Sequence, residues 1–162
     1  MLDIRKRFAA RAEELAKKYA LAPYTMFIGS GALWGETILY SMCILEEMQW
    51  KRTRYITSHD FFHGTLELLE PGVPVFLFMG EDECRELDNR VEAFLRSDVT
   101  GDEDYVIFDT AEFAIPGLDP DFRVIVSPWI LTVCITDRLS RHYEMVTKHN
   151  LKYRRYYHQF DY

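Results

Sequence analysis

The chain has 162 residues, 48% of them hydrophobic and 28% charged, which is typical of one folded domain and excludes a disordered chain. Its formal net charge of −7 disfavours nucleic acid as a partner, because binding phosphates requires clustered Lys and Arg. The three cysteines are far apart and form no C-x-x-C pair, which predicts reduced thiols. The sequence shows no signal-like segment and no membrane-spanning apolar run, so we expect a cytoplasmic protein.

Apolar periodicity predicts elements that alternate between helix and strand. Ser127-Pro128 has the residue types of an N-cap and a first helical residue, so the last helix is expected to begin there. This alternation predicts a single α/β domain, a three-layer αβα sandwich on a mostly parallel sheet. In chain order the elements are a helix over residues 3–20, a strand over 24–31, a helix over 33–50, a strand over 53–58, a helical turn or two over 64–70, a strand over 73–80, a helix over 85–95, a strand over 105–110, a helix to about 148 and a tail over 151–162.

Two short motifs fall where predicted strands end. Ligands of parallel sheets bind beyond the carboxyl ends of the strands. The sequence GSG, at residues 29–31, could present backbone N–H groups to a phosphate or sugar oxygen at the start of a helix. A tight turn from strand to helix requires glycine in any case, so this motif alone is weak evidence. The second motif is SHDFFHG, at residues 58–64.

The second motif is compatible with a metal site. His59 and His63 are four residues apart, and Asp60 takes the acidic position of the zinc motif H-E-x-x-H. The preceding segment is strand-like, however, and a glycine follows the second histidine. A third ligand would have to be Glu67 or Glu70, neither of which has a diagnostic spacing. A zinc hydrolase is therefore an alternative hypothesis.

An acid–base site needs a carboxylate, and Glu47 is the candidate. Poor solvation by apolar neighbours would raise its pKa and make it a competent base. Spacing alone favours another interpretation, an ion pair with Lys51 worth about 0.3–0.5 kcal/mol. His63 likewise has the alternative role of a helix cap. The neighbours of Glu47 on its helix face are Tyr40, Cys43, Ile44 and Trp50.

Three separated stretches resemble the second half of sugar isomerase (SIS) proteins, in particular the fructoselysine-6-phosphate deglycases and related enzymes that cleave phosphorylated Amadori products. The stretches are GSGALWGETILYSMCILEEMQW, SHDFFHGTLELLEPGVPVFLFMGED and RRYYHQFDY. The resemblance covers about residue 24 to the end and is weaker from Asp98 to Arg123. It implies an SIS-type sandwich with a flavodoxin-like sheet, forming the second lobe of a two-lobe enzyme.

The same resemblance implies a reaction. In that family a glutamate and a histidine sixteen residues apart form the acid–base pair, and they match Glu47 and His63. Glu47 would remove a proton at the first two carbons of an open-chain 6-phosphorylated ketosamine, with His63 assisting ring opening or proton delivery. Water would then release the amine and leave glucose 6-phosphate, and no metal or organic cofactor is implied. The expected substrate-binding residues are Ser30, Gly31, Ser58, Asp60, Arg154, Tyr156 and Tyr157, although the tail residues have ordinary packing as an alternative.

Some positions depart from the family pattern. His59 replaces a glycine, Asp60 replaces a longer glutamate and Thr65 replaces a proline. Ile44 occupies the position of a lysine in the related glucosamine-6-phosphate synthases, which favours the deglycase branch. No S-x-S-G-x-T phosphate loop is found, and in the family that loop belongs to the first lobe. We therefore expect a homo-oligomer or a partner first lobe, with a non-catalytic SIS lobe as the alternative.

Overall fold

The structure is a computed structural model, and it describes residues 1–97 and 104–161. Residues 98–103 and 162 lie outside the described part. The beginning of the weakly matching stretch at Asp98 and the last residue of the predicted tail belong to these undescribed residues.

Helix and strand alternate along the chain, as the periodicity predicts. The strands are β1 (Tyr24–Gly29), β2 (Arg52–Ile56), β3 (Val75–Met79) and β4 (Tyr105–Asp109). The helices are α1 (Leu2–Tyr19), α2 (residues 34–49), α3 (Ser58–Phe61), α4 (Arg85–Leu95) and α5 (residues 123–147). Helices α2 and α5 each contain wide π-type turns, at Leu39–Glu46 and Thr132–Leu139, between α-helical ends. Single 3₁₀ turns lie at Gly31–Leu33, Thr65–Leu68, Thr110–Phe113 and Pro120–Phe122.

The four strands form one parallel sheet in the order β2-β1-β3-β4. Tyr24 lies opposite Arg52, and Val75 lies opposite both Met26 and Tyr105, so the carboxyl ends of the strands are nearly level. All of β3 is buried, because a parallel sheet covered by helices on both faces needs continuous apolar strands. The order of the strands reverses between β1 and β3, which makes their carboxyl ends the switch point of the sheet.

Alternating residues of each strand divide the interior into two cores. On one face, Phe27, Phe76, Phe78 and Phe108 pack against α1, α2 and α5. On the other face, Met26, Ile28, Leu77 and Met79 pack against α3 and α4. We call these the α2 face and the α4 face of the sheet. The predicted three-layer αβα sandwich is confirmed.

The predicted start of the last helix is wrong. Helix α5 begins at Arg123, so Ser127 lies inside it and donates its hydroxyl to the carbonyl of Arg123 at 3.0 Å. The capping signal lies earlier: the carboxylate of Asp119 accepts from the backbone N–H of Asp121 at 3.0 Å and caps the 3₁₀ turn Pro120–Phe122, which leads directly into α5. An aspartate followed by proline meets the same capping requirement as Ser-Pro. The chain uses the earlier of the two signals.

Candidate active site

The predicted site residues form two separate groups. Glu47, Arg154, Tyr156 and Tyr157 line one cleft of about 430 Å³. The remaining predicted residues follow the carboxyl ends of β1 and β2; they are Ser30, Gly31, Ser58, Asp60 and His63.

The cleft is arranged around an ion pair of Glu47. The guanidinium Nε of Arg154 lies 2.8 Å from Oε1 of Glu47, and the two side chains are 18% and 30% exposed. Arg154 also donates to the carbonyls of Leu151 and Tyr153, both at 2.8 Å, so three acceptors fix its guanidinium. The carboxylate therefore faces a held cation at the mouth of a solvent-accessible cleft.

The ion pair between Glu47 and Lys51, the alternative that spacing favoured, is not the one that forms. Lys51 instead donates from Nζ to the carbonyl of Ala22 at 3.4 Å. Burial lowers the pKa of the Lys51 ammonium. Because Ala22 precedes β1, this contact places the end of α2 and the Glu47 cleft at the amino end of the sheet.

The path of α2 explains this position. The Trp34 ring lies 5.9 Å from the Tyr55 ring near the end of β2, whereas Ser41 donates to the Thr53 hydroxyl near the start of that strand, at 2.7 Å. Helix α2 therefore runs antiparallel to β2 and carries its last turn, with Glu47, to the amino end. In a parallel sheet the helix that follows a strand must return to that end before the next strand can begin.

His63 lies in the opposite layer. It follows α3, whose Phe61 is fully buried in the core of the α4 face, 5.9 Å from the ring of Phe94. The backbone N–H of His63 donates to the carbonyl of Asp60 at 2.9 Å, and the residue is exposed. One chain thus carries Glu47 and His63 on different faces of its sheet. The two members of the predicted acid–base pair are therefore not adjacent within one chain.

Asp60 and His59 are exposed at the same edge. The Thr57 hydroxyl donates to the carboxylate of Asp60 at 2.8 Å and accepts from its backbone N–H at 3.3 Å, which caps α3. His59 Nε2 lies 3.4 Å from that carboxylate. Within residues 1–97 and 104–161, no cluster of three His, Cys, Asp or Glu residues has the geometry to hold a metal ion. The zinc motif therefore lacks a ligand set in the described part of the chain.

Ser30 and Ser58 belong to a buried network instead of an open surface. The backbone N–H of Ser58 donates to the Ser30 hydroxyl at 2.7 Å, and the Ser58 hydroxyl donates to Asp88 at 2.5 Å. The other oxygen of Asp88 accepts from the N–H of Gly80 at 3.4 Å. This network joins the carboxyl ends of β1, β2 and β3, and burial raises the pKa of Asp88 to about 6, against the opposing effect of the hydrogen bonds from Ser58 and Gly80.

The predicted anion cradle after β1 already contains a carboxylate. Asp82 accepts from the backbone N–H of Ala32 at 2.6 Å and from that of Cys84 at 2.9 Å. Gly31 has φ +53, and a Cβ there would come within 2.2 Å of the Asp82 carboxylate. The glycine is needed for the turn and for the close approach of Asp82, so its presence requires no external phosphate.

Asp82 and Asp88 were not identified as site residues from the sequence. Asp88 had a visible signal, because it shares the buried face of α4 with Val91 and Leu95, at i+3 and i+7. A carboxylate at a core position needs internal donors and deserves notice for that reason. Asp82 had no comparable signal, since its partners are backbone groups brought close by the fold.

Comparisons with known proteins agree with this architecture. No protein-family model matches the chain. It is 29% identical over 161 residues to the fructosamine deglycase FrlB of Bacillus subtilis, which covers 97% of this chain and 47% of that protein. It is 32% identical over 113 residues to the fructoselysine 6-phosphate deglycase of Escherichia coli, which covers 70% of this chain and 31% of the enzyme.

A solved structure extends the similarity to the fold. The crystal structure of a candidate phosphosugar isomerase from Bacillus subtilis superposes with a TM-score of 0.90 and 28% identity, over 98% of this chain and 47% of that protein. The chain thus spans about half the length of the relatives it matches, or less. No helix in the described ranges is both long and apolar enough to cross a membrane.

Proposed function

We propose that this chain, a homologue of the fructosamine deglycases with the sugar isomerase (SIS) fold, is the acid–base lobe of an enzyme that acts on 6-phosphorylated ketosamines. The products are glucose 6-phosphate and a free amine. The proposal rests on one observation: in this homologue of the deglycases, Arg154 holds the carboxylate of Glu47 at the surface of a cleft.

Glu47 acts as the base on the open-chain substrate. The proton on sugar carbon 1 is acidified by the carbonyl at carbon 2 and by the neighbouring nitrogen, and Glu47 removes it. The oxygen at carbon 2 takes a proton to give an enaminol, and return of a proton to carbon 2 leaves a hydroxyl there and a protonated carbon–nitrogen double bond at carbon 1. Water adds to carbon 1 and one of its protons moves to the nitrogen. The carbon–nitrogen bond then breaks, its electron pair leaves on the amine, and the added oxygen loses its second proton to become the aldehyde of glucose 6-phosphate. Because Arg154 holds Oε1 of Glu47, Oε2 is the oxygen presented to the substrate.

His63 assists ring opening or proton delivery from another molecule or lobe. Since Glu47 and His63 lie on different faces of one sheet, a complete site combines this chain with a second copy or a partner lobe. In this proposal residues 1–162 are the second lobe of a two-lobe enzyme. Asp60 lies near His63 at the carboxyl edge of the sheet, whereas Tyr156 and Tyr157 line the Glu47 cleft at its amino edge. The predicted substrate contacts are therefore divided between the two edges in the same way as the acid–base pair.

An exposed apolar stripe supports assembly. Phe122, Ile125 and Trp129 follow one another at helical spacing where the 3₁₀ turn Pro120–Phe122 leads into α5, and they are 57%, 64% and 63% exposed. Contiguous apolar surface of this kind marks interaction sites in soluble proteins. We assign this stripe to contact with the partner lobe or copy.

Complementation tests the divided site. In the full-length protein, Glu47→Gln and His63→Ala each abolish the release of glucose 6-phosphate without unfolding the chain. Mixing the two inactive variants in refolded two-fold oligomers restores about a quarter of the wild-type activity, because half of the molecules are mixed and each carries one intact site of two. Full activity of either single variant would refute its role. No recovery on mixing, with mixed oligomers demonstrated by mass, would refute a site shared between copies.

A non-catalytic SIS lobe is the second candidate. It is favoured by the interior roles of Ser30 and Ser58 and by the carboxylate of Asp82 in the turn after β1, which leave no open phosphate cradle there. In the catalytic proposal, phosphate is bound by the cations of the cleft or by the partner lobe. Adding a 6-phosphofructosyl amino acid, with and without a first lobe, separates the two candidates: glucose 6-phosphate forms only if the lobe is catalytic.

A further inference from the structure

We infer that the C-terminal tail is fastened over the Glu47 cleft by a stack of side chains around Trp50, and that Trp50 and Arg155 are positioning residues for the ion pair between Arg154 and Glu47. We call this stack the tail clamp; its members are Trp50, His149, Tyr153 and Arg155. The catalytic consequence rests on the proposed function, whereas the existence of the clamp does not.

Trp50 is oriented by an unusual backbone conformation. Its φ is 54, in the left-handed region that a bulky residue seldom adopts, and it follows the last residue of α2 directly. The chain turns there toward β2, and the indole remains 40% exposed at the edge of the cleft. A bulky residue persists in such a conformation only when its surroundings hold it.

Both neighbours of the Trp50 ring come from the far end of the chain. The His149 ring packs edge-on, with centroids 4.4 Å apart, and the Arg155 guanidinium lies 4.3 Å from the centroid of the indole. His149 in turn packs against Tyr153, at 5.4 Å. Cation–π and edge-to-face contacts each stabilise such an arrangement, and indole is the best of the aromatic partners.

A buried amide fixes where the tail begins. Gln49 is 4% exposed; its Nε2 donates to the carbonyl of His149 at 2.7 Å, and its Oε1 accepts from the Thr147 hydroxyl at 2.9 Å. The backbone N–H of His149 also donates to the Thr147 hydroxyl, at 3.2 Å. The end of α2 therefore holds the end of α5, and the tail starts beside Trp50.

Arg154 lies between two members of the clamp along the chain. Tyr153 and Arg155 contact the stack, while Arg154 turns its guanidinium toward Glu47 and the carbonyls of Leu151 and Tyr153. Without the stack, residues 153–155 are expected to move more freely, and Arg154 is no longer held beside Glu47. Glu47 would then lose the partner that fixes its Oε1.

Two variants and their conservative counterparts test the clamp in the full-length protein. Trp50→Ala is expected to speed amide hydrogen exchange over residues 149–155 about tenfold, and Arg155→Ala about threefold, while Trp50→Phe and Arg155→Lys stay within about twofold of the wild type. Arg96→Ala is the matched control, because it removes an exposed arginine at the end of α4 that pairs with Glu92 and does not line the cleft. The control is expected to leave exchange over residues 149–155 unchanged.

Steady-state kinetics then test the positioning role. Trp50→Ala is expected to lower kcat about tenfold with KM nearly unchanged, because an oriented base contributes mainly to the transition state, and Trp50→Phe restores most of kcat. Unchanged exchange in Trp50→Ala would overturn the clamp. Faster exchange with unchanged kcat, in a protein that Glu47→Gln inactivates, would overturn the positioning role. If the wild type releases no glucose 6-phosphate, the proposed function fails, the positioning role fails with it, and exchange alone decides whether the clamp exists.

Discussion

Asp88 is a completely buried carboxyl, and its titration predicts a distinctive pH dependence of stability. Its pKa is raised to about 6 by burial, whereas the pKa of an aspartate in an unfolded chain is about 3.9. The folded state therefore binds this proton more tightly than the unfolded state between those values. The stability that the protonated group contributes is present below about pH 4 and is lost as the pH rises through 6.

The magnitude follows from the shift. The pKa of Asp88 is about two units higher in the folded state than in the unfolded state, so the free energy of unfolding falls by about 3 kcal/mol between pH 4 and 7. Asp88→Asn cannot titrate, so its free energy of unfolding relative to the wild type should rise by up to about 3 kcal/mol over that range and stay level above it. A constant offset at all pH values is expected as well, because the amide pairs less well with the N–H of Gly80.

Urea unfolding of both proteins across this range is the assay. Asp137→Asn is a suitable control: burial alone would raise the pKa of Asp137, but hydrogen bonds and charges from Arg141 and Arg5 outweigh it and lower the pKa. Its contribution is lost only as the pH falls below about 4, so this variant's difference from the wild type should be flat from pH 5 to 7. A flat difference for Asp88→Asn over the same range would refute the raised pKa of the buried carboxyl.

Three further predictions concern the turn after β1, the start of α5 and the exposed stripe. Gly31→Ala should destabilise the fold by at least about 1–3 kcal/mol in thermal unfolding, since its φ is left-handed and its Cβ meets Asp82; retention of wild-type stability would contradict that geometry. Asp119→Ala should cost about 1 kcal/mol in urea unfolding, because it removes the cap of the 3₁₀ turn that leads into α5, whereas Ser127→Ala should change stability by less than about 0.5 kcal/mol; a larger loss in Ser127→Ala than in Asp119→Ala would favour a helix start at Ser127. Trp129→Glu should weaken association with the partner lobe or copy at least about tenfold in sedimentation, with unchanged circular dichroism; undiminished association would place the interface elsewhere.

The architecture was predictable because it depends on local patterns. The run Val75–Met79 is apolar without alternation, and only a strand buried on both faces requires that. The boundaries of α4 follow its apolar periodicity, and the predicted range matches the observed one. The start of α5 was misplaced because two capping signals compete within ten residues, and local chemistry does not rank them.

The candidate site was less predictable, because its arrangement depends on contacts distant in sequence. Glu47 and Arg154 are both readable as candidates, yet their ion pair joins residues 107 positions apart. The separation of Glu47 and His63 follows from the return path of α2, which becomes visible only when the strand order is known. Asp82 in the turn after β1 illustrates the same limit, since a glycine turn looks identical whether an internal carboxylate or an external anion occupies it.

Proton transfer by Glu47 on a phosphorylated ketosamine is the central claim, and heavy water gives the most direct test. The full-length protein is incubated there with a 6-phosphofructosyl amino acid, and the product is followed by proton magnetic resonance. The account predicts glucose 6-phosphate with deuterium at carbon 2 from the wild type, and no product from Glu47→Gln. Equal amounts of product from both proteins would contradict it.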